Sequence, residues 1–203
     1  MMYKFLVVLA FSATAQLAFA GNYVLTIDKE PFDLTLGEAK RIKVDDQFFS
    51  VKIEQKSILT YTTDSFSFQY SNKYAPSKSD LGEGIFQTVM VTPLGSLVLV
   101  QEYQNMNPSG LMGMMINEVT KEERKYGYKI KSASNSITLS DGKKITGKVV
   151  TSKYKGSDIK RFFYTYGIKD SGLFIMTQID YAIDSNNEEF IEKFINSLII
   201  TMK

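Results

Sequence analysis

The chain has 203 residues, a formal net charge of +2, 44% hydrophobic residues, and neither cysteine nor histidine. Those two absences exclude Ser-His-Asp and Cys-His catalysis, zinc sites built on His or Cys, and haem attachment. An enzyme of this composition would be restricted to carboxylates, Lys, Tyr, or a metal held by oxygen.

The first twenty residues read as a secretory signal peptide, cleaved in the mature protein. Lys4 supplies a positive n-region, Phe5 to Phe11 an apolar h-region, and Ala18-Phe19-Ala20 a small-residue cleavage site before Gly21. The apolar run is short and interrupted by Ser12, Thr14 and Gln16, which argues against a membrane span. No Cys follows it, so a lipoprotein anchor is excluded. The expected location is therefore exported, periplasmic or extracellular. Residues 21–203 are of a size that suits one domain with a full core.

Tyr23 to Ile27 alternates like a first strand. Arg41 to Thr63 offers a hairpin in which Ile42 and Val44 face Phe49, Val51 and Ile53 across Asp45-Asp46. Ile58 to Thr62 and Phe66 to Tyr70 continue the β character. Ser71 to Gly84 is polar and carries Pro76, Gly82 and Gly84, the longest loop signal in the chain. Ile85 to Val91 and Ser96 to Glu102 then make a hairpin about Pro93-Leu94-Gly95. Both faces of both strands are apolar, which implies a sheet covered on both sides.

From Ser109 to Lys125 the residues Leu111, Met112, Met115, Ile116 and Val119 form a helical stripe, ended by Gly127. Ile137 to Ala182 reads as four strands with turns at Asp141-Gly142, Lys155-Gly156-Ser157-Asp158 and Asp170-Ser171-Gly172. Ile159 to Ile168 is again apolar on both faces, with Phe162 and Tyr164 opposing Phe163. A last helix spans Asn186 to Ile200 on the stripe Phe190, Ile191, Phe194, Ile195, Leu198 and Ile199, with Ser185 and Glu188 as a capping box. The expected fold class is α/β in the α+β sense: a mainly antiparallel sheet with helices on both faces.

This order of elements resembles the PsbP-like superfamily over about residues 64–200. Phe66-Ser67-Phe68-Gln69-Tyr70 is similar to that family's opening aromatic strand, although Ser71 stands where Pro is usual and Tyr74 where Trp is usual. The Asp-Gly hairpin at 141–142 and the closing Phe194-Ile195-Asn196-Ser197-Leu198 are similar to its C-terminal half. The resemblance implies an α/β/α sandwich and a function of binding rather than catalysis, as in photosystem II extrinsic proteins and exported bacterial members. It supplies no catalytic residues. Residues 21–63 lie outside it as extra N-terminal strands on the same single domain.

Several local patterns have a plainer reading than a site. Ser-x-x-Lys occurs at Ser140/Lys143, Ser152/Lys155 and Ser157/Lys160, on strands and turns rather than the helix start that its chemistry needs. Asp184 to Glu188 has spaced oxygen ligands like a calcium loop, but Glu189 stands where the turn Gly belongs. Met112 and Met115 lie on the helical core stripe, where Met fills gaps, so they and Met106 and Met114 are not read as copper ligands. Gly82-Glu83-Gly84 lacks the following helix of a phosphate cradle. No cofactor or metal is expected.

The charge distribution is the remaining signal. Residues 121–161 carry 12 basic and 4 acidic side chains, against 8 and 12 in residues 21–120 and 3 and 6 in residues 162–203. Lys144 and Lys148 share a strand face, Lys153, Lys160 and Arg161 flank the next turn, and Tyr154 adds an aromatic. A basic and aromatic surface of this kind suits an anionic polymer, a membrane surface or an envelope protein. Nucleic acid is not expected for an exported chain. The expected function is a non-catalytic binding or accessory module of the cell envelope. The alternatives are a carboxylate- or metal-dependent hydrolase and a homodimeric interaction module.

Overall fold

The computed structural model describes residues 23–184 and 188–202. The expected signal peptide and the expected cap Ser185 lie outside the described residues. The chain divides into two compact units, one ending at Gln55 and the other beginning at Lys56.

In the first unit, β1 (Tyr23–Ile27) pairs with β2 (Glu30–Leu34), and β3 (Ala39–Val44) with β4 (Gln47–Lys52), all antiparallel. Each hairpin turns through two residues of positive φ, Asp28-Lys29 at 45° and 73° and Asp45-Asp46 at 46° and 61°. That is the sense of turn whose twist matches paired strands. The register sets Ile42 opposite Phe49, as the sequence suggests. Among the described residues these four strands form two separate two-stranded sheets. Strand β5 (Ile58–Thr62), although inside the 21–63 stretch, belongs to the second unit.

The second unit is built on a seven-stranded antiparallel sheet. Its strands are β7 (Ser77–Asp80), β8 (Ile85–Val91), β9 (Leu97–Tyr103), β10 (Lys129–Thr138), β11 (Lys144–Tyr154), β12 (Ser157–Ile168) and β13 (Ser171–Asp180), in the spatial order β10-β11-β12-β13-β9-β8-β7. The four-strand meander expected over 137–182 is present, but its first strand starts earlier, at Lys129. β7 occupies what reads in the sequence as loop. All four of its residues are exposed, and an edge strand with no buried face leaves no apolar alternation to detect.

The strands that are apolar on both faces, β9, β12 and β13, lie inside the sheet, and each face has its own core. Leu99, Phe163, Phe174, Met176 and Val150 pack with Ile116 of α1 (Met112–Val119) on one face. Val98, Val100, Tyr164, Leu173 and Ile175 pack on the other with Phe194 of α3 (Glu188–Ser197). Over that second face also lies a small sheet of β5, β6 (Phe66–Ser71) and β14 (Ile199–Ile200), which contributes Phe66, Phe68 and Ile200. The unit is thus α+β, an antiparallel sheet with helices on both faces.

Both helices depart from their expected lengths for local reasons. The stretch read as one helix is a 3-10 turn at Pro108–Leu111, then α1, then α2 (Lys121–Lys125). The break falls at buried Thr120, whose hydroxyl donates to the Ile116 carbonyl at 2.7 Å while its backbone opens to φ −96°, ψ 2°. Such back-bonding by Ser or Thr bends helices. Gly127, at φ 86°, does end the segment: its N–H donates to Arg124 and that of Tyr128 to Glu123, the two bonds of a Schellman cap. The last helix stops at Ser197, whose hydroxyl donates to the Lys193 carbonyl and accepts from the Gln69 N–H. Ile199 and Ile200 then pair with Ser67 and Phe66 instead of completing the helix.

Candidate functional site

The hairpin of β10 and β11 is the most basic part of the molecule. Residues 129–155 hold seven lysines and a single acid, Asp141, which Lys143 pairs at 2.9 Å. That hydrogen bond from Lys143 holds the Asp141 carboxyl below its ordinary range. Three of the other five basic residues of the block, Lys121, Lys125 and Arg161, have acidic partners nearby. In α2, Lys125 pairs with Glu122 at 2.5 Å, Lys121 reaches Glu118 at 3.5 Å, and Glu123 binds Arg161.

Arg161 is not on the surface. It is 5% exposed, with Nη1 and Nη2 donating to the two Glu123 oxygens at 3.0 and 2.5 Å and Nε donating to Gln178 at 2.6 Å. Its register partner Val150 is part of the core beneath α1. Three of its five donor N–H groups are spent inside the protein, and it offers nothing to an external anion.

Strand parity separates the other sequence-selected residues. Residues directly opposite in an antiparallel ladder share a face. Lys129 opposes Lys153, which opposes Asp158, while Lys131 opposes Thr151, which opposes Lys160. These two adjacent rows put Lys129, Lys131, Lys153 and Lys160 together on the face that carries α3. Lys144 and Lys148 share the α1 face, at the other end of the hairpin, beside Ser134, Ser136 and Thr146. Tyr154 also turns to the α1 face, where its ring lies tilted against that of Tyr128 with centroids 5.2 Å apart and carries the Lys155 ammonium at 5.1 Å.

Within the quartet, Lys153 pairs with Asp158 at 2.6 Å. Lys160 lies over the rings of Phe162 at 5.0 Å and Tyr181 at 5.8 Å, within cation–π range. Lys129 and Lys131 are exposed. Sequence reasoning missed these two, although their i, i+2 spacing followed by alternation through Ile137 was a usable signal of one strand face.

Neither basic zone is an enclosed cavity. One shallow depression lies at the strand ends among Gly127, Lys129, Tyr154 and Asp158, and another over Ser134, Lys144 and Gly147. No three Asp or Glu side chains gather to hold a metal among the described residues. The buried carboxylates are occupied structurally. Asp184 accepts from Thr92 and Ser96 at 2.9 and 2.5 Å. Glu102 accepts from Thr63 at 3.2 Å and meets Lys78 at 3.2 Å. They engage opposite ends of β9, about 20 Å apart at about 3.3 Å per residue, too far to act as a glycosidase pair.

No family model matches the chain, and no curated protein matches it. Among solved structures it is similar to the solution structure of cyanobacterial PsbP (CyanoP) from Synechocystis sp. PCC 6803, at 9% identity over 71% of this chain and 92% of that one, with a TM-score of 0.46. It is also similar to a crystal structure from Bacteroides thetaiotaomicron VPI-5482, at 10% identity over 71% of this chain, with a TM-score of 0.34. The chain spans 48% of that second protein's length.

Proposed function

We propose that the protein is an exported, non-catalytic binding module that holds an anionic partner on the β10–β11 hairpin. The observation that carries this reading is the quartet Lys129, Lys131, Lys153 and Lys160: four lysines in two adjacent rows, with Asp158 as the one acid in those rows. Like charges placed this close repel one another, so an external polyanion would relieve that repulsion. The open, shallow shape suits an extended ligand better than a small molecule held in a pocket. Export is supported by the Lys4 to Ala20 segment, and accessory function by the lack of a convergent catalytic set among the described residues.

The test is retention of the mature protein on heparin as salt is raised. The expected result is binding that weakens steeply with salt, and elution at clearly lower salt for the joint Lys129→Glu, Lys131→Glu variant. Unchanged elution of that variant would remove the quartet from consideration.

A further inference from the structure

The β10–β11 hairpin has a second property besides its charge. β10 is an edge strand of ten residues, and among the described residues no strand pairs with its outer side. The other edge of the sheet, β7, has only four residues. Proteins ordinarily blunt an edge by shortening it, by bulging it, by placing Pro or Lys along it, or by covering it. β7 is short. β10 is long, pairs in unbroken register with β11, contains no Pro, and carries Lys only at 129 and 131, so that residues 132–138 are uncharged, with 132–134 and 136 exposed.

The hydrogen-bonding direction of the edge follows from the turn. The Leu139 N–H donates to the Lys143 carbonyl, so Leu139 and Lys143 form a hydrogen-bonded pair. Such pairs alternate along an antiparallel ladder. Residues 137, 135, 133 and 131 therefore also face β11, and Ile130, Ser132, Ser134, Ser136 and Thr138 direct their N–H and C=O groups outward. That row is a ready template for another strand.

The edge also connects the two basic zones. Lys129 and Lys131 lie on β10 itself, on the α3 face. Lys144 and Lys148 lie one strand inward on the α1 face, opposite Thr138 and Ser134. Those two β10 residues are short, so the lysine ammonium groups can reach over them toward a strand beside β10. A single extended ligand along this edge meets both zones at once.

We infer that β10 takes an extended acidic polypeptide as an eighth strand of the sheet, with backbone bonds to residues 130–138 and carboxylates to Lys129, Lys131, Lys144 and Lys148. A second copy of this chain is disfavoured as the occupant, because it would bring another lysine-rich hairpin against the first. The inference rests on the proposed anionic partner and specifies that partner as a polypeptide rather than a polysaccharide or a lipid surface.

The experiment uses a fluorescent twelve-residue peptide repeating Glu-Glu-Thr-Thr, which puts carboxylates on both faces of an extended chain. Its control is a peptoid with the same side chains and no backbone N–H donors. Expected are salt-sensitive binding of the peptide, at least tenfold weaker binding of the peptoid, and slowed amide exchange at Ile130, Ser132, Ser134, Ser136 and Thr138. Ser134→Pro removes one outward donor without touching the ladder to β11, so it weakens the peptide at least tenfold and leaves heparin elution unchanged. Equal binding of peptide and peptoid, or no change in exchange along β10, overturns the inference. Binding to heparin or to anionic phosphatidylglycerol vesicles without peptide binding overturns it too, while leaving the anion-binding function standing. Failure of every anion to bind overturns both.

Discussion

Arg161 on β12 and Glu123 on α2 form a bidentate ion pair, the guanidinium only 6% exposed and the carboxylate 13%. The pair fastens a five-residue helix, with no buried residue of its own, to the α1 face of the sheet. Its formation also converts the most basic stretch of the sequence into two separate facts. Lys121, Lys125 and Arg161 find acidic partners on or beside α2, and most of the β10–β11 lysines are the unpaired remainder.

Removing one partner of a buried pair leaves an uncompensated charge in a poorly solvated site, whereas removing both leaves an apolar gap that can pack. Glu123→Ala should therefore cost about 3 kcal/mol in urea unfolding. The double variant Arg161→Met, Glu123→Leu should recover most of that loss. Heparin elution should be the same for the double variant and the parent protein. A cost below about 1 kcal/mol for Glu123→Ala would mean that the pair is effectively solvated.

The lysine count along the chain locates the basic region but cannot apportion it, because the sorting depends on contacts distant in sequence. Arg161 is 38 residues from Glu123, and nothing in the local pattern around either announces the other. Lys144 and Lys153 stand in one lysine-rich stretch of the sequence, yet their odd spacing on one strand sends them to opposite faces. The interior strands were legible, because Phe162, Phe163 and Tyr164 leave no polar side and Val98 to Val100 do the same. The edge strands were less so. β7 has no buried face at all, and β10 begins eight residues before Ile137, in a polar stretch led by Lys129 and Lys131 that carries little apolar alternation. The hairpin at Asp28-Lys29 was invisible because Lys is an uncommon occupant of a positive φ.

Asp184 holds the β8–β9 turn to the segment after β13. It is 1% exposed and takes hydrogen bonds from the hydroxyls of Thr92 and Ser96, while the Ser96 N–H donates to the Thr92 hydroxyl at 3.0 Å. Bonds to a charged acceptor are worth more than neutral ones. Ser96→Ala should cost about 2 kcal/mol, read as a lower denaturation midpoint with an unchanged slope. A loss no larger than that of a surface Ser→Ala control would show that water replaces the hydroxyl freely.

Gly147 on β11 is required by a neighbour rather than by its own backbone. A Cβ there would lie 1.9 Å from the Phe163 carbonyl oxygen and 2.6 Å from the Tyr164 ring. The obstacle is the backbone of the adjacent strand, which cannot rotate away. Gly147→Ala should destabilise by about 3 kcal/mol, the upper end for overpacking. Gly156→Ala, where nothing lies within 4 Å but φ is 92°, should cost only about 1 kcal/mol for its turn strain. The reverse ranking in thermal unfolding would contradict this account.

Tyr164 lies across that glycine. Asn135, Gly147 and Tyr164 occupy one row of β10, β11 and β12, and the Asn135 amide donates to the Tyr164 hydroxyl at 2.8 Å. Burial pushes the phenol up to about 12, although the Asn135 bond pulls the other way. Tyr181 is also raised to about 12, by burial first and then by its hydrogen bond to Glu188. A raised phenol favours the neutral form in the folded state, so its stabilising contribution is complete below pH 10, the phenol's ordinary value. It is lost as pH climbs from there through about 12. Absorbance near 295 nm (a phenolate band) should therefore show these tyrosines ionising last, together with loss of the β-sheet circular dichroism. Tyr164→Phe forgoes the Asn135 bond at neutral pH but removes a group that must ionise against burial. Its stability should consequently fall less than the parent's between pH 10 and 12. Parallel pH curves for the two proteins would show that Tyr164 ionises without leaving the core.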